Sequence, residues 1–225
     1  MPEIPYINIH THNGERSKDV IAIQNVFAKD ISVNIGDQGQ RLSAGLHPWH
    51  IDEATVEDDL VKVKNAARSK KVIAIGETGL DRKTSASWEL QKEVFVRHIN
   101  IATHSGKPLI IHCVKAYSEV ISIVRQAGFS GKPIFHGFNQ NSRIAGELLR
   151  NGFYLSFGPA LLNERSNAAT FIAETPTERL FLETDDSEIS IHRIYQRAAE
   201  LKKTDIETLK RNLLTNFTNV FKFEK

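Results

Sequence analysis

Short apolar runs alternate with longer stretches of helical periodicity along most of the chain. The runs are Tyr6–Ile9, Val20–Val26, Leu42–Leu46, Val72–Ile75, Leu109–Ile111, Pro133–Phe135, Phe153–Phe157 and Leu180–Leu182. Several are apolar at successive positions and rich in Ile and Val, the pattern of strands covered on both faces in a parallel sheet. Between them, Glu53–Ser69 repeats apolar residues at Val56, Leu60, Val63 and Ala67, and Trp88–His104 does so through Leu90, Val94, Ile101 and Ala102. Ser118–Ala127, Arg143–Arg150 and Ser166–Ala173 follow the later strands, with Gly106, Gly128 and Gly152 placed as helix C-caps. Ile191–Leu201 is a further helix. Thr204 then reads as the N-cap of the last one, with Glu207 completing a capping box before Leu209, Leu213 and Leu214.

Strands alternating with helices predict an α/β fold, and eight such units predict a (β/α)8 TIM barrel. Only about ten residues separate the first two runs and roughly fifteen the next two, and the first gap is too short for a crossover helix with its loops. The expectation is therefore an irregular barrel with shortened N-terminal βα units, one or two outer helices being absent there. An open doubly wound sheet is the alternative. No linker, charge block, low-complexity stretch or fixed-period repeat divides the sequence, so residues 1–225 read as a single domain.

Composition narrows the function classes. A chain of 225 residues with 40% hydrophobic and 25% charged residues can bury a sizeable core, which excludes disordered and fibrous classes. Lys and Arg number 29 against 27 Asp and Glu, a balance of +2 that neither demands nor forbids nucleic acid. The single cysteine, Cys113, excludes a disulfide framework and a CxxC zinc site. The segment Met1-Pro-Glu-Ile-Pro-Tyr6 lacks the features of a signal peptide. No apolar run approaches the roughly 20 residues of a membrane span. These features predict a soluble, reduced, cytoplasmic protein without a membrane partner.

The chemistry gathers at strand ends. His10-Thr-His12 follows the first run, and alternation along a strand puts Asn8, His10 and His12 on one face. Two imidazoles at that spacing can grip one metal ion, but a lone HxH is a weak signal and a merely polar strand end is the alternative. Glu77 ends the fourth run, His112 the fifth, His136 the sixth and Asp185 the eighth. Singly, each is an ordinary structural hydrogen-bonder. Together they point to a metal centre at the carboxyl ends of barrel strands, the face that carries active sites. Cys113 and His112 are adjacent and face opposite sides, so they cannot form a thiol–imidazole pair. No nucleophile elbow, P-loop or GxGxxG is present.

His10-Thr-His12, Gly45-Leu-His-Pro48, Gly76-Glu-Thr-Gly-Leu-Asp81, His112, His136-Gly-Phe and Glu183-Thr-Asp185, with Asn216 and Phe221 near the end, resemble the TatD family of metal-dependent deoxyribonucleases. The resemblance runs from Tyr6 to about Phe223. It implies two divalent ions sharing Glu77, with His10, His12 and Asp185 completing one site and His112 and His136 the other. Two dications against Glu77, Asp185 and a bridging hydroxide leave a net positive centre suited to a phosphate. The hydroxide would attack, with Asp185 orienting it and taking its proton. Imidazole-rich ligation favours zinc, with manganese, nickel, iron or magnesium also possible.

By the same resemblance His47 is a phosphate contact, a turn-stabilising histidine being the alternative, and Lys115 can bind phosphate as a point charge. Asp81 reads as a loop cap. Trp49 and Trp88 can stack on bases, although Trp88 suits packing better, and the Lys62, Lys64, Arg68, Lys70, Lys71 cluster reads as a solvated helix face. The chain departs from the family pattern at Asn8, Lys115 and Asp186-Ser187, where Asp, Arg and a proline-containing pair are usual. The expected function is hydrolysis of DNA phosphodiesters, as an exonuclease on single strands or ends. Hydrolysis of a small phosphoester, cyclic amide or lactone is the second reading, and a non-catalytic partner protein the third.

Overall fold

Apolar β-branched runs can bury both faces only in a sheet covered by helices, and that is how these residues fold. The computed structural model describes residues 3–14, 17–31 and 40–222. Met1 and Pro2 of the N-terminal reading, and Phe223 at the limit of the resemblance, lie outside the described residues. The strands are β1 (Tyr6–Thr11), β2 (Val20–Phe27), β3 (Arg41–Gly45), β4 (Val72–Asp81), β5 (Leu109–Val114), β6 (Pro133–Phe135), β7 (Tyr154–Phe157) and β8 (Leu180–Leu182). They form one sheet in the order β1-β2-β3-β4-β5-β6-β7-β8. A parallel bridge between Thr11 and Asp185 brings the chain just after β8 back against β1. The fold is a (β/α)8 barrel.

The helices are α1 (Val56–Ala66), α2 (Trp88–Ser105), α3 (Tyr117–Gln126), α4 (Ser142–Arg150), α5 (Asn167–Phe171), α6 (Ile191–Lys202) and α7 (Ile206–Phe221). Between β1 and β2 the described residues hold no helix, and after β2 they hold the 3-10 turn Ala28–Asp30 followed by Ile31 in helical conformation. The connection from Thr11 to Val20 is short, as its spacing predicts. One local expectation fails: Asp205, not Thr204, caps α7, accepting the Thr208 N–H at 2.8 Å. Both residues are capping types, and a side-chain carboxylate is the stronger acceptor.

The chain divides into two compact units, Met1–Gln24 with Phe135–Lys225, and Asn25–Ile134. In the first, Ile7, Ile9, Leu155, Phe157, Phe181, Ile194 and Phe217 are buried. Tyr195, fully buried on α6, uses its hydroxyl twice on one residue of β1, accepting the Ile7 N–H at 2.9 Å and donating to the Ile7 carbonyl at 3.2 Å. Asn216 on α7 donates to the Thr177 and Leu180 carbonyls, and Phe221 stacks against Phe181 and Phe217, so both C-terminal signature residues serve packing.

In the second unit α2 buries Val94, Phe95, His98, Ile99 and Ala102, with Gly106 in the left-handed region (φ 66) as its C-cap. Removing a ring such as Phe95 from this core would cost about 3–5 kcal/mol. Parallel register sets Leu42 beside Val72 and Gly79 beside His112. The β4–β5 register slips between Ile75 and Thr78, the stretch that carries Glu77, and the β1–β2 register slips between Asn8 and Thr11, the stretch that carries His10. Such irregularities re-aim side chains, and both occur at predicted site residues.

Candidate active site

In the first unit β1 ends in His10-Thr-His12 and β8 runs into Glu183-Thr-Asp185. The Asp185 N–H donates to the His10 carbonyl at 3.0 Å and the His12 N–H donates to the Asp185 carbonyl at 3.0 Å, which fixes the two segments side by side. Asn8 takes both polar groups of Thr184, accepting its N–H at 3.1 Å and donating to its hydroxyl at 2.9 Å. His10 Nε2 and His12 Nε2 each lie 3.4 Å from Asp185 Oδ1. The His136 ring stands 4.5 Å from that of His10. One ligand atom from each of His10, His136 and Asp185 falls within 4.8 Å of the others.

Asp185 adopts a left-handed backbone, φ 54, which an Asp tolerates better than most residues. Burial by itself would raise its carboxyl, but His10 and His12, with the further pull of His136, hold it well below the usual carboxylate range. It is an anion at any working pH. His136 is anchored from behind: fully buried Glu183 places Oε1 3.3 Å from His136 Nδ1 and accepts the Gly137 N–H at 2.7 Å. The ring nitrogen His136 can offer to a cation is therefore Nε2. A carboxylate behind an imidazole in this way fixes ring orientation and raises its basicity.

The second unit assembles His47, Glu77 and His112, again with one ligand atom from each within 4.8 Å of the others. Glu77 Oε1 is 3.2 Å from His47 Nε2 and 2.9 Å from His112 Nδ1. Its backbone N–H donates to Asn25 Oδ1 at 2.8 Å. Neighbouring strands come so close here that only glycine fits: a Cβ on Gly79 would lie 1.9 Å from the His112 carbonyl oxygen, and one on Gly45 would lie 2.5 Å from that of Glu77. The Gly-Glu-Thr-Gly segment is thus a steric requirement for seating Glu77.

The two histidines of this cluster differ in chemistry. His47 Nδ1 accepts the Trp49 N–H at 3.1 Å, so in the neutral ring the proton sits on Nε2 and that nitrogen is a donor. His112 lies between two carboxylates, with Nε2 3.2 Å from Asp81 Oδ2. Asp81 also accepts the Lys83 N–H at 2.7 Å and the Trp49 indole N–H at 2.6 Å. Burial opposes its ionisation, yet the indole, the Lys83 amide and His112 together lower it below its ordinary value. Asp81 is therefore the loop cap the sequence suggests and also the backing group of His112, a role its sequence position does not disclose.

Within the first unit His136 joins His10 and Asp185, with His12 alongside, and within the second His112 joins Glu77 and His47. Lys115 follows β5 with φ 56 and is exposed; no hydrogen bond or ion pair among the described residues ties its ammonium to His47, Glu77 or His112. Cys113 is half-buried and its thiol is pushed up to about 12 by burial, so it supplies no thiolate. Trp88 packs under the Arg82 guanidinium, 4.1 Å from its ring centroid. Lys62 pairs with Asp59 on α1, whose C-terminal end lies at the start of β4, away from Glu77.

Both clusters suit a cation by their donor chemistry. Each combines imidazoles with an anionic carboxylate inside one coordination radius, a mixture that suits a borderline transition metal better than magnesium. Among the described residues no helix is long and apolar enough to cross a membrane.

Residues 28–222 match the family model described as TatD related DNase. YabD of Bacillus subtilis (strain 168), named an uncharacterized metal-dependent hydrolase, is 31% identical over 194 residues, 79% of this chain and 76% of that protein. YcfH of Escherichia coli (strain K12), named in the same way, is 28% identical over 198 residues, covering 80% of this chain and 72% of the relative. The crystal structure of YJJV, a TatD homolog from Escherichia coli K12, shares the fold with a TM-score of 0.83 at 20% identity, over 97% of this chain and 98% of that one. With a model matched across most of its length and a relative of this similarity, the chain belongs to the TatD-related DNase family.

Proposed function

We propose that the chain is a metal-dependent hydrolase of phosphodiester bonds, acting on DNA as an exonuclease at single strands or ends, with residues 1–225 working as one domain. The observation that carries this reading is the pair of histidine–carboxylate clusters at the carboxyl ends of barrel strands. The name of the matched family supplies the substrate.

In this reading His10, His12, His136 and Asp185 hold one divalent ion, and Glu77 with His112 holds another. Zinc is the favoured ion, and manganese, nickel, iron and magnesium are the alternatives for metal analysis to sort. When bound, such ions lower the pKa of water and offset charge on the phosphoryl oxygens. The chain's own groups do the rest. Asp185, kept anionic by its histidines, takes the proton of the attacking water. His47, with its proton on Nε2, donates to a phosphate oxygen, and Lys115 adds a mobile positive charge near the exit of β5. Asp81 and Glu183 keep His112 and His136 from turning.

The test is release of nucleotides from defined single- and double-stranded oligonucleotides, abolished by a chelator and restored by metal. If metal-loaded protein leaves every oligonucleotide intact but hydrolyses a small phosphoester, cyclic amide or lactone, the substrate assignment moves to that class. Exposed Lys115, in place of the Arg usual in the family, is the feature that favours this second reading.

A further inference from the structure

Among the described residues of the second unit, Trp49 is the most exposed of the large hydrophobic side chains, at 65%. It nevertheless has a fixed orientation. The 3-10 turn Pro48–His50 presents it, and its backbone N–H is held by His47 Nδ1. Its indole N–H is held by Asp81 Oδ2 at 2.6 Å. The ring meets His47 edge-on, with centroids 4.9 Å apart, and stands 6.0 Å from His112. An indole tethered at both ends and turned to solvent beside a phosphodiester-binding cluster is a ready stacking surface.

A cavity of about 340 Å³ opens against the same side chain, lined also by Phe27, Lys29, Leu46 and His50. Its volume lies in the range of small-molecule sites, roughly 300–1,000 Å³, and its walls combine the Phe27, Trp49 and His50 rings with Lys29 and two carboxylates, Asp52 and Asp59, the latter paired with Lys62. Aromatic walls suit any base because every base has a π-face, and Lys29 suits the phosphate that follows it.

We propose that Trp49 and this cavity form a nucleobase subsite, which stacks the base next to the phosphodiester held at His47, Glu77 and His112. The inference rests on the DNA reading for the identity of its ligand. Trp49 is a binding residue, and Asp81 serves it as it serves His112, by fixing the angle of a ring.

The test uses protein as purified, with Trp88→Phe so that Trp49 alone emits, and cleavage-resistant phosphorothioate oligodeoxythymidine as the probe. Saturable fluorescence quenching is expected, with affinity about 5- to 100-fold weaker for an abasic oligomer of equal length, the span that one stacked base provides. Trp49→Leu, followed by competition against a labelled strand, should bind the two oligomers equally. Absence of quenching, or equal affinities for base-bearing and abasic oligomers in the protein that keeps Trp49, overturns the subsite. DNA that is cleaved without base discrimination sinks this inference and leaves the proposed function standing. Base-selective quenching in a protein that cleaves no DNA supports the subsite and removes the nuclease.

Discussion

Asn8 and Thr184 exchange two hydrogen bonds, one through each end of the Asn8 amide, and so join β1 to the residues that lead into Asp185. An amide accepts a backbone N–H and donates to a hydroxyl at the same time without bringing a charge to a position that is 1% exposed. The departure from the family's usual Asp therefore has a structural account.

Asn8→Leu should accordingly destabilise the fold. It leaves the Thr184 N–H with only its longer bond to the His10 carbonyl, at 3.3 Å, and takes the donor from the Thr184 hydroxyl, at a cost of about 1–3 kcal/mol. In a chain of this size that corresponds to a fall in Tm of roughly 2–12 °C. Thermal unfolding followed by circular dichroism measures it, and an unchanged Tm would show that the two bonds contribute nothing.

Glu183→Gln should weaken metal retention with little effect on folding. Gln keeps an oxygen for the Gly137 N–H, so the backbone contact at 2.7 Å survives. It loses the charge behind His136 Nδ1, and backing groups of this kind typically contribute 10–100-fold in metal affinity. Metal content after dialysis against a competing chelator, compared with wild type at equal Tm, reads the effect. Equal retention would remove Glu183 from the support of the site.

Much of this was legible in the sequence. Each strand run was apolar enough to mark itself, because strands covered on both faces cannot afford polar positions. His10, His12, Glu77, His112, His136 and Asp185 stood out because a polar residue that interrupts or ends such a run has few reasons to be there. What stayed hidden depends on contacts between distant segments. Glu183 precedes Asp185 in the chain, but only the fold puts it behind His136. Asp81 gathers an indole, a backbone amide and an imidazole from separate elements. The pairing of His136 with His10 is likewise a matter of barrel closure, which spacing along the chain does not encode.

His98 carries no sequence signal of its role because it sits mid-helix among apolar residues. It is fully buried, with Nδ1 bonded to the Val94 carbonyl at 2.8 Å and Nε2 accepting the Leu46 N–H at 3.0 Å. Burial lowers its pKa from 6.5 to about 4. The unfolded chain therefore binds this proton more readily than the folded one. The stability contribution is complete above pH ~6.5, falls as pH drops toward ~4 and is then lost, an amount on the order of 3 kcal/mol. Urea unfolding at several pH values should show that slope in wild type and a shallower one in His98→Gln, whose amide can make the Leu46 bond without titrating. Parallel slopes would exclude His98 as the source.

Asp185→Asn separates proton transfer from ligation. The fold should tolerate it, since Asn adopts a left-handed backbone as readily as Asp and the main-chain bonds to His10 and His12 remain. The amide oxygen can still face His10 and His12, so much of the metal should stay with the other histidines. What disappears is the anion that those histidines keep deprotonated. An amide cannot take a proton from the attacking water at neutral pH, and general-base contributions are typically 10²–10⁴ in rate, roughly 3–5 kcal/mol of barrier. Turnover should fall by about that factor while Tm stays near wild type. Metal content and turnover measured on one preparation decide the matter: a fall in turnover that merely tracks lost metal makes Asp185 a ligand alone, and turnover within about threefold of wild type removes it from the chemistry.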